Sequence, residues 1–348
     1  RAGGFVNAVL RGLERQIEHR RIAQSQAEAT RSIPVDFNRA CQFRLAVLPD
    51  PEQNPVEYLA ISTSHPAWLV HRWITAFGPD NTRRICMAGL CRPAMVLRPN
   101  RLRTDLDVLA GRLRQEGIET ARDEQAGVLI AAQAAALLHT SAFAEGLFQI
   151  QDRTAMRVVR AMAPRPGQTI LDLCAGVGTK TTQMAEIMDN TGLILASDKD
   201  EDRLAMIREN CHRLGIRCVT TVPTGSWTEV CRRLDRLDWI LVDVPCSNTG
   251  VLARRCEARY RVSARSLASL ATLQLELLEQ ADRLARPHTR LAYSTCSLEA
   301  EENEAVVAGF SQNHPRWRLT RSERTLPAVG PTPADWHDGG FWAVWEPA

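Results

Sequence analysis

Ile170-Leu-Asp172-Leu-Cys174-Ala175-Gly176-Val-Gly178-Thr-Lys180 reads as a short apolar strand that opens into a glycine-rich loop. Outward from it, two periods alternate. Helix Thr181–Met188 follows, then strand Leu193–Ser197 ending at Asp198, helix Glu201–Leu214 and strand Arg217–Val222. Further on come strand Trp239–Val244, a long helix through Ser266–Leu284 and strand Arg290–Ser294. Strands alternating with helices predict an α/β fold with a doubly wound, mostly parallel sheet. Ligands of such sheets bind outside the carboxyl ends of the strands.

The loop admits two readings. Glycines let a backbone approach a nucleoside, and an acid at the end of the next strand accepts hydrogen bonds from ribose hydroxyls; Asp198 stands 22 residues after Gly176, within that range. The other reading is a glycine-rich turn in a structural α/β domain. A dinucleotide site calls for a third glycine where Thr181 stands, which argues against a nicotinamide dehydrogenase. Adenosylmethionine sites share the topology without needing pyrophosphate contacts and tolerate this loop.

Two cysteines occupy matching settings. Cys246 follows the run Trp239–Asp243 in Asp243-Val-Pro-Cys246-Ser-Asn-Thr-Gly250, and Cys296 follows Leu291-Ala-Tyr293-Ser-Thr295. Either thiol alone reads as a buried structural residue. Two thiols delivered to one sheet edge point to covalent chemistry on a bound substrate.

The chain has 348 residues, 45% of them apolar, enough for two or three domains with real cores. No apolar run is long enough to span a membrane. It begins at Arg1 rather than Met, which leaves open where the native start lies. Ten cysteines without regular pairing predict a reduced, cytoplasmic protein. Cys86 and Cys91 are too isolated for a zinc site and are expected in packing; no metal is expected. Net charge is only +3, but residues 1–44 carry eight Arg against four acidic residues. Arg254, Arg255, Arg259 and Arg261 cluster after the Cys246 loop, which suits phosphate contacts or an ordinary solvated surface. With 41 Arg and only Lys180 and Lys199, the lysine in the glycine loop stands out.

Before the α/β region, residues 1–30 read as one helix, with Phe5, Val6, Val9, Leu10, Leu13 and Ile17 in phase, and residues 31–56 as a linker. Helices are expected around Pro55–Ser62, from His65-Pro66 onward and over Leu106–Glu116, with a strand in Met95–Arg103.

With these loops in view, the chain resembles the RsmB (Sun/Fmu) family of RNA cytosine-C5 methyltransferases. The segments Asp243–Gly250 and Ser294-Thr-Cys296-Ser-Leu-Glu-Ala-Glu-Glu302-Asn303-Glu304 carry the resemblance in combination. Phe143–Asp152, His65-Pro66-x-Trp68, Arg98-Pro-Asn100 and Gly4-Phe5-Val6-Asn7 add to it. The resemblance implies a Rossmann-like adenosylmethionine-dependent methyltransferase domain over 146–348, a smaller α+β RNA-binding domain over 55–145, and, over 1–54, the last helix of a truncated NusB-like domain plus linker. It implies Cys296 as the attacking thiol, Cys246 in adduct breakdown, Asp243 on the cytosine edge and Lys180 beside base or cofactor, favouring thiolate. It implies S-adenosyl-L-methionine held by Cys174, Ala175, Gly176, Gly178, Lys180, Asp198, Lys199, Arg203, Ser226 and Asp243. The implied partner is RNA, most simply small-subunit ribosomal RNA, with the target base out of its stack and the protein a monomer. Glu302 and Asn303 are expected to orient the helix after the Cys296 loop.

The chain departs from the family pattern in places. The usual Ala-Pro-Gly-Gly-Lys loop reads Gly176-Val-Gly178-Thr-Lys180, and a usual Gly-Asp pair becomes Gly225-Ser226. The usual His-Pro-Asp-x-Lys-Trp becomes Cys256-Glu-Ala-Arg259-Tyr260, and a Pro-Gly-Gly turn becomes Pro287-His288-Thr289. These changes favour a second reading, a ribosome-assembly factor that keeps the fold without turnover. Both cysteines, Asp243 and Lys180 favour the enzyme. A DNA cytosine methyltransferase is a third reading, against which Thr295-Cys296 and the intermediate domain speak.

Overall fold

A computed structural model of the chain describes residues 2–132 and 134–348. They group into two compact units: residues 94–251, 261–326 and 337–348 form the larger, and residues 1–93, 252–260 and 327–336 the smaller.

The larger unit is built on seven strands: β1 (Thr169–Asp172), β2 (Leu193–Asp198), β3 (Val219–Pro223), β4 (Trp239–Asp243), β5 (Arg290–Thr295), β6 (Trp317–Thr325) and β7 (Gly340–Pro347). Their order is β3-β2-β1-β4-β5-β7-β6. Strands β1 to β5 pair in parallel, and β7 runs antiparallel to both its neighbours. Helices α1 (Arg153–Met162), α2 (Thr179–Ile187), α3 (Glu201–Leu214), α4 (Ala264–Leu284) and α5 (Glu304–Asn313) accompany the strands. The middles of the central strands are apolar because both faces are covered, as in Ile240-Leu-Val242 of β4. In β4, Ile240 and Val242 join one buried cluster while Trp239 and Leu241 join the other. The order of β1, where it reverses from β2 to β4, is the place at which such sheets open a crevice.

The same unit contains a four-stranded antiparallel sheet of Met95–Pro99, Thr120–Asp123, Val128–Ala131 and Phe148–Ile150. With helices Leu106–Gln115 and Ser141–Ala144 it follows a split βαβ, ferredoxin-like plan. Arg98 leaves this sheet and reaches α2. Its guanidinium donates to Glu186 Oε1 at 2.7 Å and Oε2 at 3.1 Å, to Thr182 Oγ1 and the Thr179 carbonyl at 3.1 Å each, and to Gln151. Five donor contacts leave this buried cation satisfied.

The smaller unit departs from the expected helix over 1–30 and linker over 31–56. The helix runs Ala2–Gln16 and stops; Ile17–Ala23, Ser32–Pro34 and Arg39–Phe43 then form an antiparallel sheet. Ile17 pairs with Phe43 and Ile22 with Ala40, so non-local pairing overrides the helical phase of Ile17. Helices Pro55–Thr63 and Ala67–Leu90 follow; the second is broken at Gly78 (φ 78°) just before Pro79. Among the described residues no helix is long and apolar enough to cross a membrane.

Candidate active site

Register delivers the site. In the β4–β5 pair Asp243 lies opposite Ser294, and each strand then runs on a few residues to its cysteine. Ser294 Oγ donates to Asp243 Oδ1 at 2.6 Å, and Lys180 Nζ, from the first turn of α2, donates to Oδ2 at 2.7 Å. The Sγ atoms of Cys246 and Cys296 lie 3.1 Å apart as free thiols. Cys296 Sγ is also 3.1 Å from Asn248 Oδ1, and the Cys296 amide points at Cys246 Sγ at 3.3 Å. The four residues expected to do chemistry therefore converge on one sheet edge.

Their electrostatics differ. Contact with the Cys296 thiol, followed by burial, pushes the Cys246 thiol well above the usual range, so it stays protonated near neutral pH. Burial disfavours charge on Lys180, but the Asp243 carboxylate, and then Cys296, more than offset it and raise its pKa. The result is a fixed positive charge beside the thiol pair.

The residues expected to hold a cofactor line the same edge. Cys174, Ala175, Gly176 and Gly178 form the turn from β1 into α2, with Gly176 at φ 56° and Gly178 at φ 82°. A side chain at Gly178 would press on Ile207, whereas the space beside Gly176 is open, as a backbone approached by a ligand requires. Asp198, ending β2, accepts the Gly176 amide at 3.0 Å and the Asp200 amide at 3.0 Å. Arg203 sits 3.6 Å from it, Lys199 is exposed beside it, and Ser226 lies in the turn after β3. Beneath the loop, burial pushes Asp172 up to about 7; one oxygen accepts from Thr181 at 2.7 Å and the other, buried, has no partner. Burial, then Asp172 and Asp243, also raises Cys174, which therefore stays a neutral thiol. An open glycine backbone, an acid with bound amides and an orphaned buried oxygen fit a nucleoside-type cofactor.

A pocket of about 110 Å³ opens at this edge. Lys180, Asp243, Ser294 and Cys296 form its polar wall; Thr154, Val158, Phe341 and Trp342 face them. The second wall was not read from the sequence. Its signal is the pair Gly339-Gly340: a Cβ on Gly340 would lie 2.7 Å from the Thr295 carbonyl, and the Gly339 amide donates to Gly250, which in turn donates to Cys296.

Glu302 and Asn303, expected to orient the helix after the Cys296 loop, make no side-chain cap bond to it and brace the thiol loops instead. Glu302 is fully buried, and its carboxylate accepts from the Ser247 amide (2.9 Å) and hydroxyl (2.5 Å), Ser297 Oγ (2.5 Å) and Gln274 Nε2 (3.0 Å). Ser247 and Ser297 directly follow the two cysteines, so one carboxylate fixes both thiol loops. Asn303 adds bonds to Thr295 Oγ1 and the Ser297 carbonyl.

Of the Arg cluster expected to suit phosphate contacts, Arg259 is withdrawn, while Arg255 and Arg261 are exposed. Arg259 is 6% exposed, and its guanidinium donates to the carbonyls of Thr63, Ser64 and Gly89 within the smaller unit. Cys86 and Cys91 are buried, which pushes their thiols up to about 12 and about 11.

Residues 159–331 match the family described as 16S rRNA methyltransferase RsmB/F, and residues 65–136 match the ferredoxin-like domain of RsmF/B-like methyltransferases. The probable ribosomal RNA small subunit methyltransferase B of Bacillus subtilis is 34% identical over 281 residues, covering 80% of this chain and 63% of that protein. The ribosomal RNA small subunit methyltransferase B of Salmonella arizonae is 34% identical over 287 residues, covering 80% and 65%. The solved structure of a methyltransferase homolog protein from Pyrococcus horikoshii matches with a TM-score of 0.69 at 25% identity, covering 86% of this chain and 100% of that one. The chain thus spans less than two thirds of the length of these curated relatives.

Proposed function

Given that the chain belongs to the RsmB/F family of 16S rRNA methyltransferases, we propose that it methylates carbon 5 of a cytosine in small-subunit ribosomal RNA through a covalent Cys296 adduct. The observation that carries this reading is the thiol pair at 3.1 Å beside the Lys180–Asp243–Ser294 chain. S-adenosyl-L-methionine, held by the Gly176–Gly178 loop and Asp198, supplies the methyl group.

Cytosine carbon 5 is a poor nucleophile. Cys296 Sγ gives up its proton and adds as thiolate to carbon 6, while the Asp243 carboxylate, kept in place by Lys180 and Ser294, accepts from the ring edge and favours the ring in its N3-protonated form, N3 taking up the proton the thiol releases. The resulting enamine is nucleophilic at carbon 5. After methylation a solvent water takes the carbon-5 proton, the carbon 5–carbon 6 double bond re-forms as the carbon 6–sulfur bond breaks, Cys296 leaves as thiolate and N3 gives its proton back. Cys246, neutral and in contact with Cys296, is placed to serve this last step. The pocket beside Cys296 admits one base and little water, so the target nucleotide leaves its stack to enter.

The test is transfer of labelled methyl from adenosylmethionine to unmodified small-subunit ribosomal RNA. Wild type labels cytosine at carbon 5. Cys296→Ala loses at least ~10³-fold in rate, and Cys246→Ala accumulates an RNA adduct that survives denaturing electrophoresis. A wild-type protein that neither labels RNA nor binds adenosylmethionine overturns the enzyme reading in favour of an assembly factor.

A further inference from the structure

The smaller unit has a pocket of its own, of about 340 Å³, the size of a small-ligand site. It lies among the added sheet, helix Pro55–Thr63 and the second half of helix Ala67–Leu90, and takes no part in the chemistry above. Its lining combines three kinds of group. Tyr58 and Phe37 offer aromatic rings, and Arg83 and Arg84 are exposed cations. Ser62, only 3% exposed, carries a hydroxyl with no hydrogen-bond partner, and the buried Oε1 of Gln24 has none either. Two orphaned buried oxygens on one pocket are unfavourable in the free protein and need an explanation.

We propose that this pocket binds an unstacked nucleotide of the RNA substrate, resting on the RNA reading above. A base supplies what each group lacks. Its faces stack on Tyr58 and Phe37, and its edge N–H groups donate to Gln24 Oε1 and Ser62 Oγ. Asp80, also in the lining, accepts such donors too. The guanidiniums of Arg83 and Arg84 hold the adjoining phosphate, as arginine forks do. Single-stranded RNA is recognised by this combination of stacking, edge hydrogen bonds and phosphate contacts. The surrounding sequence has the matching charge, with eight Arg against four acidic residues in 1–44.

The experiment uses the whole chain, small-subunit ribosomal RNA carrying 4-thiouridine, and AMP and CMP as free nucleotides. Irradiation of the wild-type complex is expected to cross-link the peptides that contain Phe37 or Tyr58. Tyr58→Ala is expected to raise the RNA KM about tenfold, and Arg83→Glu/Arg84→Glu more, with a shallower salt dependence. Maximal rate and adenosylmethionine affinity stay as in wild type, which also shows that the variants fold. Unchanged RNA KM in both variants, with no cross-link to either peptide, overturns the inference while leaving the methyltransferase reading intact. Tight AMP or CMP binding at the pocket that RNA does not displace also overturns it, in favour of a free-nucleotide site. If wild type methylates no RNA and binds none, the RNA reading fails and takes this inference with it.

Discussion

Asp172 is a carboxyl that the fold holds close to neutral. It is 1% exposed, and burial lifts it to about 7, against about 3.9 in an unfolded chain. Because the folded value is the higher, its contribution to stability is whole below about pH 4 and is lost as pH climbs through 7. Asp172→Asn keeps the Thr181 contact and removes the ionisation. Urea midpoints should therefore diverge between pH 4 and 8, the variant gaining on wild type by something on the order of 4 kcal/mol; parallel curves would show that Asp172 is not the titrating group. Glu302 poses the opposite case, a buried carboxylate with a full set of donors. Glu302→Ala strands those donors and should cost about 3 kcal/mol. Glu302→Gln should fold well yet lose methylation rate, with an unchanged adenosylmethionine affinity, because the two thiol loops lose a shared acceptor.

At the scale of elements, α2 joins two functions. Its first turn carries Lys180, and its later turns carry Thr182 and Glu186, the partners of Arg98 from the ferredoxin-like sheet. Arg98→Met leaves Glu186 buried and unpaired and should cost about 3–5 kcal/mol in urea unfolding. Adding Glu186→Leu should recover most of that loss, and failure to recover would mean that the pair is not the determinant. Such links explain which elements were legible in advance. β1, β4 and β5 announced themselves through their apolar middles, which strands covered on both faces require, and the matching settings after β4 and β5 placed Cys246 and Cys296 at one edge. The sheet of 17–43 did not, because Ile17–Ala23 has only its two isoleucines partly buried and the rest exposed, too sparse a pattern to oppose a helix. The Phe341 and Trp342 wall was hidden for a different reason: β7 enters the sheet from the far end of the chain, and local pattern carries no such pairing.

Across the whole molecule, the smaller unit is discontinuous: residues 252–260 and 327–336 belong to it though they interrupt the sequence of the larger. The Arg cluster was read as a surface feature because sequence alone does not show that Arg259 is folded into carbonyls of residues 63, 64 and 89. A fragment of residues 94–348 would keep Arg259 and lose all three acceptors. It should melt at least about 5 °C below the full chain, and separately expressed 1–93 should bind it and restore the transition. Equal melting temperatures would show that the Arg259 contacts with residues 63, 64 and 89 add nothing to stability.

The thiol contact also has a chemical liability. Two sulfurs held 3.1 Å apart need approach by only about 1 Å to reach bonding distance. A two-electron oxidant such as diamide would take the hydrogens from both thiols, itself becoming the hydrazine, and leave a disulfide in place of the proposed nucleophile. Turnover should then stop, two titratable thiols per chain should disappear, and dithiothreitol should restore both. The thiol pair that the proposed adduct chemistry calls on is thereby one that depends on a reducing environment to stay open.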